Sequence, residues 1–236
     1  MRTKSWRILL ASLALVAATL VGCTQTGDTD LPQLRVLFIG NSFTFYNGGV
    51  DQVLHGLAPR TVVNSATQGG YRLSDHIADP ATMDKLQQPG WNRVVLQEQS
   101  QLPVLSRESF ISSAGTLADQ VRAQGAIPLL LMTWARPDSS GVTTAALTSA
   151  FADAGRRLKV LVIPAGTAFG LSLATQPDIV LNELDGHPTR EGTYLAGCVV
   201  FAKIFSRSPV GNTFTGGLDA SIARTLQEAA AKATLG

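Results

Sequence analysis

Two short stretches carry side chains that could do chemistry together. Gly40-Asn41-Ser42 sets a serine hydroxyl just past the apolar run of residues 34–39, and Asp185-Gly186-His187-Pro188 sets an imidazole two residues beyond a carboxylate. A serine becomes a nucleophile when a neighbouring base can take its proton and a third group orients that base. Histidine is the usual base near neutral pH. The chain has three of them. His55 falls in the helical pattern of residues 50–57 and His76 near the start of the next helical pattern, positions that suit structural or solvent-facing roles. His187 lies in a loop directly before an apolar helix starting at Arg190, where Pro188 suits the entry to the helix and Thr189 the cap. Ser42, His187 and Asp185 are therefore the candidate nucleophile, base and orienting acid. On the loop alone, Asp185 and His187 serve equally well to complete a turn and a cap.

The elements that must position these groups are legible as alternating patterns. Strand-like runs occur at residues 34–39, 60–64, 93–96, 126–133 and 159–163, and helical patterns at 50–57, 73–86, 107–124, 143–157, 190–205 and 219–234. Most of the strand runs are continuously apolar, as in parallel strands covered on both faces. Strand and helix in alternation predict a three-layer α/β fold with about five parallel strands. Ligands in such sheets sit at the carboxyl ends of the strands, which is where the first run delivers Ser42. Residues 136–141 read as a loop, and residues 171–189 as a long irregular segment of the kind that often carries function.

The N-terminus reads as a targeting segment rather than part of the fold. Arg2, Lys4 and Arg7 precede an apolar stretch over residues 8–21, closed by Leu20-Val21-Gly22-Cys23. The stretch is short of the roughly 20 apolar residues a membrane span needs and has the layout of a signal peptide. Its cysteine resembles the lipidated residue of bacterial lipoproteins, which predicts a signal over residues 1–22, diacylglycerol on Cys23, a polar tether over 23–32 and one domain over 33–236. The expected location is the cell envelope, anchored to a membrane and facing the periplasm or exterior. The full chain carries 19 basic and 17 acidic residues. Without the three basic residues of the signal, 16 basic remain against 17 acidic. No basic stripe is left, which argues against nucleic acid as a partner. With Cys23 acylated, Cys198 has no partner and reads as a small hydrophobe inside the apolar run of residues 194–205.

Gly-Asn-Ser early and Asp-Gly-His-Pro late together resemble the SGNH (GDSL-type) hydrolase superfamily over residues 34–205, in the branch whose first block reads Gly-Asn-Ser-Phe. That resemblance implies a flavodoxin-like fold and a serine esterase, with Ser42 as nucleophile and His187 as base. It also implies three oxyanion donors: the N–H of Ser42, a glycine N–H and a side-chain amide. Gly70, in the stretch Ser65 to Tyr71, fits the glycine best, with Gly69 as a substitute. The family's third block, Gly-x-Asn-Asp, reads here Gln97-Glu98-Gln99-Ser100. Gln97 lies directly at the strand end and is favoured as the amide donor, whereas Gln99 matches the asparagine by offset. The family acid lies three residues before its histidine, where this chain has Leu184. Asp185 must therefore reach the ring through a tighter loop, failing which a backbone carbonyl holds the tautomer; Glu183 is a poorer candidate.

The sequence contains no phosphate loop, dinucleotide turn or zinc-binding helix motif, so no cofactor or metal is implied. Trp91 and Trp134 flank strands, and Phe43, Tyr46 and Tyr71 adjoin the proposed oxyanion elements, where aromatic rings serve either packing or a ligand. The expectation is a monomeric, lipid-anchored esterase acting on a small ester or acylated saccharide. The competing one is an inactive, glycan-binding lipoprotein with the same fold.

Overall fold

The computed structural model describes residues 31–236; the expected signal segment and Cys23 lie outside the described residues. The strands are β1 (Arg35–Gly40), β2 (Val62–Thr67), β3 (Arg93–Leu96), β4 (Ile127–Leu131) and β5 (Leu161–Ile163). They form one parallel sheet in the order β2-β1-β3-β4-β5. This is the flavodoxin-like order, in which the chain reverses direction across the sheet between β1 and β3. The helices along the chain are α1 (Ser42–Phe45), α2 (Val50–Leu57), α3 (Leu73–Ala78), α4 (Pro80–Leu86), α5 (Leu102–Leu105), α6 (Arg107–Ala123), α7 (Thr144–Leu158), α8 (Ala165–Thr175), α9 (Arg190–Phe205) and α10 (Ala220–Leu235).

The continuous apolar run of β1 is explained by two cores. Val36 and Phe38 face one, built with α2, α8, α9 and α10. Leu37 and Ile39 face the other, built with α3, α4, α6 and α7. Each such side chain contributes roughly 1.5–3 kcal/mol on burial, and the four residues Val36 to Ile39 are apolar throughout. The first polar residues after β1 are Asn41 and Ser42. The edge strand β2 differs, because its residues alternate between exposed and half-buried from Val62 to Ser65 and none of them is fully buried. Helix α9 is buried nearly all round, between α2 and α10. Cys198 lies fully inside it, where burial pushes the thiol's pKa up.

Two expectations are corrected. The single helix expected over residues 73–86 is two, because Asp79 caps a new one: its carboxylate accepts from the N–H groups of Ala81 and Thr82, and Pro80 follows it. Part of the segment read as irregular is helical, since α8 runs on to Thr175. The small residues of α8 let its backbone lie against the sheet, and a β-carbon on Gly166 would stand 2.1 Å from the carbonyl oxygen of Thr133. Among the described residues no helix is long and apolar enough to cross a membrane.

Candidate active site

The chain leaves β1 through Gly40 and turns at once into α1. Asn41 caps that helix, its Oδ1 accepting from Phe43 N–H at 3.1 Å, and Ser42 is the first helical residue. No other residue suits position 40, because a β-carbon there would lie 2.5 Å from Gln97 Oε1 and 2.7 Å from Thr44 Oγ1. Gln97 is buried behind this turn. Its Oε1 accepts from Asn41 N–H at 2.8 Å and from Thr44 Oγ1 at 2.9 Å, while its Nε2 donates to the carbonyl of Glu98. Gln97 is buried and braces the serine turn, with one of its two amide hydrogens committed to the Glu98 carbonyl. Gln99 stands otherwise. Its Oε1 accepts from the N–H groups of Gln101 and Leu102 at 2.9 and 3.2 Å, and its Nε2 has no partner among the described residues.

The glycine block is tied to the serine turn at two points. Gln68 N–H donates to the Gly40 carbonyl at 3.2 Å, and Asn41 Nδ2 donates to the Tyr71 carbonyl at 2.8 Å. Between them Tyr71 N–H closes a turn onto Gln68, with Gly70 at φ +74°, the conformation required at the third position of a type II turn. A β-carbon on Gly69 or Gly70 would meet nothing within 4 Å, so this backbone faces open space. Glu98 links the second and third blocks. Its Oε1 accepts from Leu73 N–H at 3.1 Å and Gln99 N–H at 2.7 Å, and burial raises the carboxyl's pKa against the pull of those bonds.

His76 is buried beneath the same turn, in the structural role its helical position suggested. Its Nε2 lies 2.8 Å from the Gly40 carbonyl, an oxygen that can only accept, so that nitrogen carries a proton. Its Nδ1 meets Thr82 Oγ1 at 2.9 Å. Burial lowers the imidazole's pKa. The sequence held no signal for this contact with the strand end.

His187 meets both of its expected partners. Its Nε2 is 2.8 Å from Ser42 Oγ, and its Nδ1 is 2.8 Å from Asp185 Oδ2. The two-residue spacing closes because Asp185 Oδ1 also accepts the backbone N–H of His187 at 3.1 Å, curling the loop through Gly186 at φ +84°. A side chain at 186 would be strained by that φ, and its β-carbon would stand 2.5 Å from Arg136 Cγ. Leu184, at the position three before the histidine, is 89% exposed. The ring's hydrogen bond, then the backbone one, hold the Asp185 carboxyl below its usual pKa. Asp185 itself is 61% exposed. Water screens such a pair, so its consequence is orientation of the ring rather than stability.

The loop around His187 is held by the rest of the fold. Glu183 N–H donates to the His187 carbonyl at 2.8 Å, Thr189 N–H to the Leu181 carbonyl at 3.0 Å, and Trp134 Nε1 to the Gly186 carbonyl at 3.0 Å. Thr189 caps α9, accepting from Gly192 N–H at 3.1 Å. Trp134 is buried just past β4 and stacks between Phe43 and Phe169. Its place after a strand was visible in sequence, but its partner was not. If Nδ1–H donates to Asp185, Nε2 is the acceptor for the Ser42 hydroxyl, which is the proton arrangement acyl transfer needs.

Comparison with known proteins places this geometry. No protein-family model matches the chain, and no curated protein matches it. Solved structures do. An inferred SGNH hydrolase from Slackia heliotrinireducens shares 27% identity with a TM-score of 0.65, covering 73% of this chain and all of that one. A DUF4886 family protein from Bacteroides uniformis ATCC 8492 shares 18% identity with a TM-score of 0.72, covering 86% of this chain and 95% of its own. An acetyl xylan esterase, AlAXEase, shares 15% identity with a TM-score of 0.57, covering 72% of this chain and 98% of its own. The chain has the flavodoxin-like fold of SGNH hydrolases, with the serine, histidine and acid alignment of a serine hydrolase built on it.

Proposed function

We propose that the protein is a lipid-anchored serine esterase of the cell envelope that removes small acyl groups, with acylated carbohydrate as the substrate class. The observation that carries the esterase reading is the continuous path from Ser42 Oγ through His187 to Asp185, at 2.8 Å for each contact. Ser42 Oγ attacks the ester carbonyl carbon as its proton passes to His187 Nε2. The imidazolium is stabilised by Asp185 and returns the proton to the leaving alcohol, giving an acyl-enzyme. Water, deprotonated by the same nitrogen, then attacks the acyl carbon, and collapse releases the acid and restores Ser42. The oxyanion formed in each half is met by the N–H of Ser42, the N–H of Gly70 and the free amide of Gln99, which takes the role first assigned to Gln97. Each such donor is worth roughly 3 kcal/mol of barrier. The carbohydrate part of the reading is supported by the acetyl xylan esterase among the structural neighbours, and the anchor by Leu20-Val21-Gly22-Cys23.

The test is hydrolysis of p-nitrophenyl acetate and of acetylated saccharides by the wild type and Ser42→Ala. Loss of at least about 10³-fold in kcat on substitution is expected. Equal rates in the two proteins would remove Ser42 from the mechanism.

A further inference from the structure

A short turn directly after the serine helix makes specific contacts to the histidine loop while burying nothing of its own. It spans Tyr46–Gly48 and contains no buried residue. The Tyr46 ring stacks on the imidazole of His187, with centroids 4.5 Å apart and planes 22° apart. Phe43 packs against the same imidazole, tilted at 5.3 Å. Asn47 donates from Nδ2 to the carbonyl of Pro188 at 2.6 Å, the peptide oxygen one residue past the histidine. The turn is itself fastened from below, where the Tyr46 carbonyl accepts from Gly49 N–H at 3.0 Å and Thr193 Oγ1 of α9 at 3.2 Å.

Two features separate this turn from ordinary surface packing. Asn47 holds φ at +49°, a left-handed conformation that is strained for most non-glycine residues and that asparagine tolerates best. That conformation belongs to the same residue whose amide reaches the Pro188 carbonyl. Tyr46 is 39% exposed, so its ring adds little to either core while covering one face of an imidazole. The acid that orients this imidazole from the other side is itself largely in water, and a surface hydrogen bond alone leaves a ring free to turn.

We infer that Tyr46 and Asn47 form a clasp that positions His187 for proton transfer from Ser42, an inference that rests on the serine-esterase reading above. The stacked ring limits rotation of the imidazole about its last side-chain bond, keeping Nε2 on Ser42 Oγ. The Asn47 amide fixes the peptide that carries the ring. When the proton moves, the imidazolium sits over an aromatic face, an arrangement that favours the cation. Both are positioning residues, since they act through His187 and not on substrate.

The experiment uses the whole chain and compares wild type, Ser42→Ala, Tyr46→Phe, Tyr46→Ala, Asn47→Gly, Asn47→Asp and the double Tyr46→Ala/Asn47→Gly. Steady-state hydrolysis of p-nitrophenyl acetate and the rate of labelling by a fluorophosphonate probe are measured beside the melting temperature. Glycine suits the left-handed backbone without donating, and aspartate keeps the shape but sets an acceptor against a carbonyl. Tyr46→Ala and both Asn47 variants should lower kcat and labelling by about 10- to 100-fold, with KM moving less than about threefold. Tyr46→Phe should restore nearly the wild-type kcat. The double variant should lose less than the product of the single losses, because both act on one ring. With an active wild type and an inactive Ser42→Ala, the esterase reading stands whatever the clasp variants do. In that case wild-type kcat in Tyr46→Ala and Asn47→Gly overturns the clasp, as does a Tyr46→Phe variant no better than alanine. A wild type that neither turns over nor labels removes the reading and the clasp together.

Discussion

The indole N–H of Trp134 donates to the carbonyl oxygen of Gly186 at 3.0 Å, joining the end of β4 to the peptide between Asp185 and His187. The bond is buried, and it ties a rigid strand to the loop that carries the base. Trp134→Phe keeps an aromatic ring between Phe43 and Phe169 but leaves that carbonyl without a donor. The expected result is a stability loss of about 1–3 kcal/mol in denaturant unfolding, with kcat lowered. A variant with wild-type kcat and unchanged stability would show the bond to be idle.

Asp185 contacts His187 through both its ring and its backbone N–H. Asp185→Asn preserves the loop, because the amide oxygen can still take the backbone bond, but it allows the wrong ring tautomer. Loss of kcat by about 10²- to 10⁴-fold is expected, with the melting temperature nearly unchanged for so exposed a group. Full activity in this variant would leave Ser42 and His187 working as a dyad.

The two glutamines of the third block should separate cleanly. Gln99→Ala removes the proposed oxyanion donor, so kcat should fall by about 10²- to 10³-fold. Gln97→Ala removes the acceptor that holds Asn41 N–H and Thr44 Oγ1, both buried, and should lower the melting temperature as well. If only the Gln97 variant loses kcat while Gln99→Ala is fully active, the assignment of the third donor reverts to position 97 or to no side chain.

Acid should weaken the fold through His76. Burial depresses its folded pKa below the unfolded value of about 6.5, so the unfolded chain binds the extra proton first. Its contribution is complete above about pH 6.5 and declines as pH falls through the folded pKa. Glu98 acts in the opposite sense, because its folded pKa is raised and acid favours the fold there. Unfolding free energies of wild type and His76→Gln between pH 7.5 and 5 isolate the histidine, and the gap between the two proteins should narrow towards pH 5. A gap that stays constant or widens would contradict a depressed pKa.

Lipidation is tested apart from catalysis. Cys23→Ser in the producing bacterium should abolish incorporation of labelled palmitate and move the protein from the detergent to the aqueous phase, since acyl chains contribute about 0.8 kcal/mol per buried CH₂. Palmitate retained by the serine variant would exclude Cys23 as the acceptor.

Much of this architecture is determined by sequence, for identifiable reasons. Continuous apolar runs require strands covered on both faces, and those runs put Ser42 at the carboxyl end of β1. Thr189 at the start of α9 and Asp79-Pro80 at the start of α4 are local capping signals that act within a few residues. Tertiary structure decided what depends on distance across the fold. Spacing leaves Asp185, a backbone carbonyl and Glu183 as alternatives for orienting the ring, and only the curl of the loop through Gly186 brings the Asp185 carboxylate to it. Gln97 and Gln99 are alike in sequence, yet one is buried behind the serine turn and bonded through both its oxygen and its nitrogen, while the nitrogen of the other has no partner among the described residues. The contacts of Trp134, Asn47 and His76 to residues 36 to 141 positions away leave no local pattern, because a hydrogen bond between distant segments depends on how packed layers meet and not on either segment's periodicity.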